Sequence, residues 1–259
     1  MNLELENKVA IVGGGSQGIG LGIATALAAE GAKVVIAARR EADLIVAVDR
    51  IKAETGGEVS WVSADCRQAD DCRKVVAAAV ERHGGLDILV NNDGAPPVGP
   101  VLSFDDAAWH KAVEQNLMYP VRMVREAVPH MRKRGGGSIL NITAISAIQP
   151  IRELGLSVAT WSGVIGYAKT LSIELGEFGI NVNTICPGYI DTRRLRKVFA
   201  SGSESSESVQ DRLALEVPLG RIGTVEDIAN LVALLVSPKG SYITGTAIQV
   251  DGGLLRGVR

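Results

Sequence analysis

Apolar residues fall in two kinds of pattern along this chain. Lys8–Val12, Lys33–Ala38, Val59–Ser63, Leu86–Asn91, Ser138–Ile142, Asn181–Ile185 and Ala247–Val250 are short apolar runs with little polar alternation. Each reads as a strand buried on both faces. Between them lie segments with helical spacing. Gly18–Glu30 places Ile19, Ile23 and Leu27 on one stripe and ends at Gly31; Asp43–Glu54 does the same with Leu44, Val48 and Ile51. Ala69–His83, a long stretch from Phe104 to Arg134, Leu156–Phe178 and Val225–Val236 complete the helical set.

Buried strands alternating with helices predict an α/β fold, a doubly wound parallel sheet with right-handed crossovers and helices on both faces. No break in composition divides residues 1–259, so a single domain is expected. One segment stands apart. Thr192–Pro218 (192–218) begins with Arg193, Arg194, Arg196 and Lys197 and continues into a serine- and glutamate-rich run, Ser201–Ser208. It follows a strand end, where ligands bind in such sheets, and reads as a lid over the substrate. A solvated surface loop is the plainer alternative.

Composition narrows the class. With 46% hydrophobic residues the chain has ample material for a core. A formal charge of −2 gives no general attraction to nucleic acid or acidic membranes, and 4% aromatics disfavour base stacking. No apolar run approaches the ~20 residues of a membrane span. Met1–Lys8 carries two glutamates and no apolar stretch, so no signal peptide and a cytoplasmic location are expected. Cys66, Cys72 and Cys186 read as too few and too scattered for a disulfide framework or a metal cage. His83, His110 and His130 fall on helices and read as surface or packing residues, and no metal site is expected.

The first strand is followed at once by Gly13-Gly-Gly-Ser-Gln-Gly-Ile-Gly20 and then by a helix. In that setting Gly14, Gly18 and Gly20 let the backbone turn tightly and approach a pyrophosphate, with Ser16, Gln17 and Ile19 completing the cradle. The helix N-terminus adds free N–H groups and partial positive charge. The second strand ends Ala38-Arg39-Arg40 rather than in an acidic residue. A carboxylate there would hold a ribose 2′-hydroxyl; Arg39, with Arg40, can instead pair with a 2′-phosphate. NADP(H) is therefore the expected cofactor, and undiscriminating surface arginines are the alternative.

These residues resemble the short-chain dehydrogenase/reductase family over nearly the whole chain. The glycine run is similar to its cofactor loop, with Gly13 where threonine is usual. Asp65, followed by Cys66, resembles its adenine-contacting aspartate. Asn91-Asn92-Asp93-Gly94 resembles its Asn-Asn-Ala-Gly, with Asp93 in place of alanine. Asn116 matches the asparagine that kinks the long helix and holds a relay water. Pro187, Gly188, Ile190 and Thr192 resemble the loop that holds the nicotinamide amide, and Ile243–Gly245 with Asp251–Gly253 the C-terminal signature. The resemblance implies a Rossmann fold, a small-molecule substrate and a homodimer or homotetramer built on the two long helices.

It also implies a catalytic serine, tyrosine and lysine, and these are missing. Anchored on Asn141–Ala144 and Gly163–Leu171, the alignment puts Ala144 at the serine, Ser157 at the tyrosine and Trp161 at the lysine. Ser157 and Trp161, four residues apart, share a helix face. A serine hydroxyl is a far weaker acid than a phenol lowered by a neighbouring ammonium. Losing a positioned general acid forfeits on the order of 10²–10⁴ in rate, while orientation of reactants survives. Asn116, Ser157, Tyr189 and Asp93 are the remaining candidates for catalysis. Ser146, Arg152 and Glu153 border the expected pocket. Three functions stay open: an NADP(H) oxidoreductase of a carbonyl or secondary alcohol with an altered relay, a non-redox isomerase, dehydratase or lyase using the same pocket, or a non-catalytic nucleotide-binding regulator.

Overall fold

The computed structural model describes residues 1–199 and 205–257. Seven parallel strands form one sheet in the order β3-β2-β1-β4-β5-β6-β7. The strands are β1 (Val9–Gly13), β2 (Lys33–Ala38), β3 (Val59–Ser63), β4 (Ile88–Asn91), β5 (Gly137–Ile142), β6 (Ile180–Pro187) and β7 (Ala247–Val250). The helices between them are α1 (Gly18–Ala29), α2 (Glu41–Thr55), α3 (Ala69–His83), α4 (Asp106–Val113), α5 (Tyr119–Lys133), α6 (Gly155–Leu175), α7 (Arg193–Phe199), α8 (Ser206–Ala214) and α9 (Val225–Val236).

The unbroken apolar runs are explained by burial on both faces. Along β1, Ala10 and Val12 pack with Ile23 and Leu27 of α1 and Val232 of α9. Val9 and Ile11 point the other way, against Val75 of α3, Met123 of α5 and Leu175 of α6. Asp87 anchors the start of the sheet: its carboxylate accepts the Val9 N–H at 2.9 Å and both the Nε and Nη2 of Arg134, at 3.3 and 3.1 Å.

Strand order reverses between β1 and β4, which are hydrogen-bonded neighbours although two β–α units separate them in sequence. The crevice at such a switch point lies beyond the carboxyl ends of the strands. The β1–α1 loop and the segment after β4 therefore meet there.

The stretch from Phe104 to Arg134 is helical from Asp106 to Lys133, but its hydrogen bonding changes part-way. Asp105 caps α4 by accepting the Ala108 N–H at 2.9 Å, so the helix begins at Asp106. Between α4 and α5 the chain winds a π turn, Glu114–Met118, with Asn116 inside it. The π turn keeps an approximately helical spacing, which is why the apolar pattern runs through it. Within the 192–218 segment Arg193–Phe199 forms α7 and Ser206–Ala214 forms α8; residues 200–204 lie outside the described residues. No helix among the described residues is long and apolar enough to cross a membrane.

Candidate active site

The glycine loop is packed too closely against the β4 end to carry side chains at two of its positions. Gly14 has φ of +56°, and a Cβ there would lie 2.7 Å from the Asn92 amide nitrogen. That amide is already committed, donating to the Gly13 carbonyl at 3.0 Å and fastening the β4 end to the cradle. A Cβ on Gly20 would be equally close to the same nitrogen. Gln17 is the N-cap of α1 but makes no side-chain cap, and the first turn holds no acidic residue. The N–H groups and positive end of α1 thus face the crevice free of internal neutralisation. Ser16 and Ile19 line the same turn, half-buried.

The two arginines after β2 separate clearly. Arg40 is paired with Asp43 at 2.5 Å. Arg39, exposed, makes no ion pair among the described residues, although it lies within electrostatic reach of Asp65 and Asp93. Asp65 is not free: Arg67 Nε donates to it at 2.8 Å, and that guanidinium holds its carboxyl below the usual range. The Asp65 N–H is in turn bonded to Asp71 Oδ2 at 2.6 Å. Cys66 follows, half-buried.

On the far wall, the Thr192 methyl would touch a Cβ on Gly18 at 3.5 Å, so the start of α7 stands over the cradle. Gly188 donates its N–H to Val250 at 3.0 Å. Ile190 is buried in the same core cluster as Ile228. Arg194 reaches across to the Pro96 carbonyl at 2.9 Å and joins α7 to the segment after β4.

The catalytic candidates converge only in part. Asn116 is 4% exposed. Its Nδ2 donates to Thr160 Oγ1 at 2.9 Å, which joins the π turn to α6. Asn91 Nδ2 donates to Asn141 Oδ1 at 3.0 Å. The other ends of these amides, Asn91 Oδ1, Asn116 Oδ1 and Asn141 Nδ2, together with the Tyr119 hydroxyl, are buried without a protein partner. Their residues line one cavity of about 20 Å³, walled also by Trp161. Two acceptors, one donor and a phenol around a space of that size suit a single water.

Ser157 is 2% exposed on α6, and Trp161 lies one turn on. Asp93 also borders the cavity. Its side chain opens to solvent, yet the bulk of protein around it at the base of the crevice lifts its carboxyl above the usual range, with Asp65 adding to the effect. Tyr189 is engaged elsewhere: its hydroxyl donates to Glu216 at 3.0 Å and its ring meets Phe199 edge-on at 5.2 Å. Burial, and then the Glu216 bond, push this phenol up to about 12.

Ser146 is buried with an unpartnered hydroxyl, whereas Arg152 and Glu153 border a hollow of about 520 Å³. Apolar residues Val101, Ile151 and Val158 form much of its wall. The Glu153 carbonyl accepts the Gly99 N–H at 2.9 Å, so this hollow is bounded by two connected loops. Among the described residues no group of three His, Cys, Asp or Glu could hold a metal ion.

Sequence reasoning missed Tyr119. It starts α5, is 3% exposed, and stands beside Gly13. The absent threonine at residue 13 was the available signal. All three cysteines are free thiols, and Cys72 Sγ donates to the Cys66 backbone carbonyl at 3.2 Å.

The chain has clear relatives. The sequence profile described as enoyl-(acyl carrier protein) reductase matches residues 14–255. The human protein named dehydrogenase/reductase SDR family member 4 is 36% identical over 250 residues, covering 96% of this chain and 88% of its own. Among solved structures, L-sorbose reductase from Gluconobacter frateurii, complexed with NADPH and L-sorbose, gives a TM-score of 0.94 at 33% identity over 100% of both chains. A variant of actinorhodin polyketide ketoreductase with NADPH gives 0.90 at 35% identity, over 95% of this chain and 97% of that one.

Proposed function

This chain belongs to the short-chain dehydrogenase/reductase family, and from that premise we propose that it is an NADP(H)-dependent oxidoreductase of a carbonyl or secondary alcohol whose proton relay does not use serine, tyrosine and lysine. The observation that carries this reading is the cradle: a side-chain-free loop at Gly14 and Gly20, locked by Asn92 onto Gly13, with Arg39, which has no ion pair among the described residues, beyond it. The NADPH complexes of the sorbose and polyketide reductases support it.

In this reading the α1 N-terminus takes the pyrophosphate, Arg39 takes the 2′-phosphate, and Thr192 with the Pro187–Gly188 backbone takes the nicotinamide end. Asp65, Cys66 and Gly94 border the adenosine half. When bound, the cofactor supplies or accepts the hydride. What this chain supplies is orientation, exclusion of water by the 192–218 lid, and a proton route. With Ala144, Ser157 and Trp161 in place of the family's acid apparatus, the route runs through the polar cavity. A water held by Asn116, Asn91 and the Tyr119 hydroxyl serves the substrate oxygen. Tyr189, already donating to Glu216 and raised, is a poor donor, so Asn116 carries more of the role. Orientation supplies roughly 7–11 kcal/mol of catalysis in favourable cases, enough to sustain slow turnover without a strong acid. The reading extends to a homodimer or homotetramer through the long helices; the 74% exposure of Ile173 on α6 supports a covered face there.

The burial of Ser157 favours a second reading, a nucleotide-binding protein without turnover. Titration with NADPH and NADH, followed by NADPH oxidation across a carbonyl panel, separates the two. Tight NADPH binding with turnover supports the first reading. Tight binding with silence on a broad panel supports the second, and no binding removes both.

A further inference from the structure

The polar cavity and the hollow of about 520 Å³ are built on the same two elements. Helix α6 gives Trp161 and Val164 to the cavity and Val158 to the hollow; the segment after β4 gives Asp93 and Gly94 to the first and Pro100 and Val101 to the second. Val158 and Trp161 stand three residues apart, about 4.5 Å along the helix axis. The hollow is walled mostly by apolar carbon, from Pro100, Val101, Pro150, Ile151 and Val158. Its walls are fitted to one another. A Cβ on Gly155 would overlap Val101, so α6 begins on a glycine where the short turn Val101–Ser103 lies against it. Ser162 Oγ donates to the Ala147 carbonyl at 2.8 Å and pins the β5–α6 connection to the helix. Ile151 packs against the buried cluster of Ile145, Val217 and Leu254, which ties this wall to the end of the 192–218 segment. The two charged residues that line the hollow, Arg152 and Glu153, are adjacent and opposite in sign, with Nε and Oε1 4.0 Å apart, and so leave it no net charge. Val98, Val101 and Leu102, on one loop beside it, are exposed.

We propose that the substrate is a carbonyl compound or secondary alcohol bearing an uncharged, unbranched apolar chain, seated with its oxygen at the polar cavity and its chain in the hollow. This rests on the proposed function and names the substrate class of the same site. Ligand pockets commonly measure about 300–1,000 Å³, so the hollow is oversized for a two-carbon substituent and suits a chain of about four carbons or more. Each methylene laid against Val101, Ile151 and Val158 leaves water, a gain of about three- to fourfold in affinity. A polyhydroxylated chain of equal length would give up its hydrogen bonds to water for walls of carbon, and is turned away by that cost. Binding energy gathered on the chain also holds the oxygen in place, and orientation is what a site without a strong acid depends on.

The test titrates the whole protein, saturated with NADPH, with 2-butanol, 2-hexanol and 2-octanol in a calorimeter. Reduced cofactor and an alcohol cannot react, so binding is read without turnover. Affinity should climb by about 10²-fold from 2-butanol to 2-octanol, with an increasingly negative heat-capacity change. D-sorbitol should not bind at concentrations where 2-octanol saturates. Val158→Trp, which fills the hollow, should flatten the series, and Ile151→Trp supplies the same readout if the first variant fails to fold. A flat series in the natural sequence, or D-sorbitol binding as tightly as 2-octanol, would overturn the substrate class. A slope that survives in the folded tryptophan variants would overturn the hollow as the seat of the chain. If the protein binds no NADPH, the function reading fails, and the slope across the three alcohols on nucleotide-free protein still decides the hollow. A steep slope with no oxidation of NADPH by 2-octanone would count against turnover and leave the chain site standing.

Discussion

The Tyr119 hydroxyl occupies the space that a side chain at Gly13 would need. A Cβ built on Gly13 would overlap that oxygen and lie 2.8 Å from the Asn92 carbonyl. The strand end and the α5 start are therefore fitted to each other, small against large. Gly13→Thr should destabilise the protein by about 1–3 kcal/mol through overpacking. Tyr119→Ala should cost more, on the order of 3–5 kcal/mol, by leaving a cavity. The double variant should lose less than the sum, by about 0.5–3 kcal/mol. Urea unfolding of the four proteins measures the coupling, and strict additivity would refute the fit.

Arg39 and Arg40 are adjacent in sequence but unequal in the fold, since Asp43 engages only the second. Arg39→Ala should weaken NADPH binding by about 10–100-fold, from the 1.5–3 kcal/mol of a charged hydrogen bond, and leave NADH nearly unchanged. Arg40→Ala should do much less. Equal effects of both substitutions, measured by fluorescence titration, would contradict this assignment.

Restoring the family's acid should raise turnover. Ala144→Ser, Ser157→Tyr and Trp161→Lys in one chain should increase kcat/KM for carbonyl reduction by about 10²–10⁴ over the natural sequence. Steady-state NADPH oxidation, with a thermal melt to verify folding, checks this. No gain in a folded, NADPH-binding variant would mean that the pocket no longer presents a substrate to these positions.

Asp227 closes a capping box on α9 with Thr224, and Arg221 binds its carboxylate at 2.7 and 3.1 Å. Chiefly through Arg221, its pKa falls from the model-compound 3.8 to about 2. The folded value lies below the unfolded one, so this contribution is complete above about pH 4 and is lost as pH falls toward 2. The difference in melting temperature between wild type and Asp227→Asn should shrink over that window. The pair is exposed, so the difference should be small and reduced by salt.

Much of this architecture was legible because two-sided burial writes itself as unbroken apolar runs, as in Val34–Ala37, and because the glycines after Val12 have a mechanical purpose. The Phe104–Arg134 stretch reads as one long helical segment, and the π turn within it leaves the apolar rhythm nearly intact. The helices α7 and α8 are only seven and nine residues long, too short for a firm periodic signal. Tyr189 looked available from its place after Pro187–Gly188, but its partner Glu216 lies 27 residues away and is brought near only by the folded segment. The bond from Cys72 Sγ to the Cys66 carbonyl depends on how tightly one turn doubles back, which spacing does not encode.

The π turn at Glu114–Met118 is equivalent to one residue wound into an otherwise regular helix. Each residue of an α-helix rotates its successors by about 100°. Removing a single residue from this turn would give α4 and α5 a straight common axis and a full set of hydrogen bonds. It would also swing Tyr119 away from Gly13 and Asn116 away from Thr160. A deletion that improves the helix would thus dismantle the cavity, and the irregularity behaves as a heritable part with its own selective value, open to loss in one mutational step.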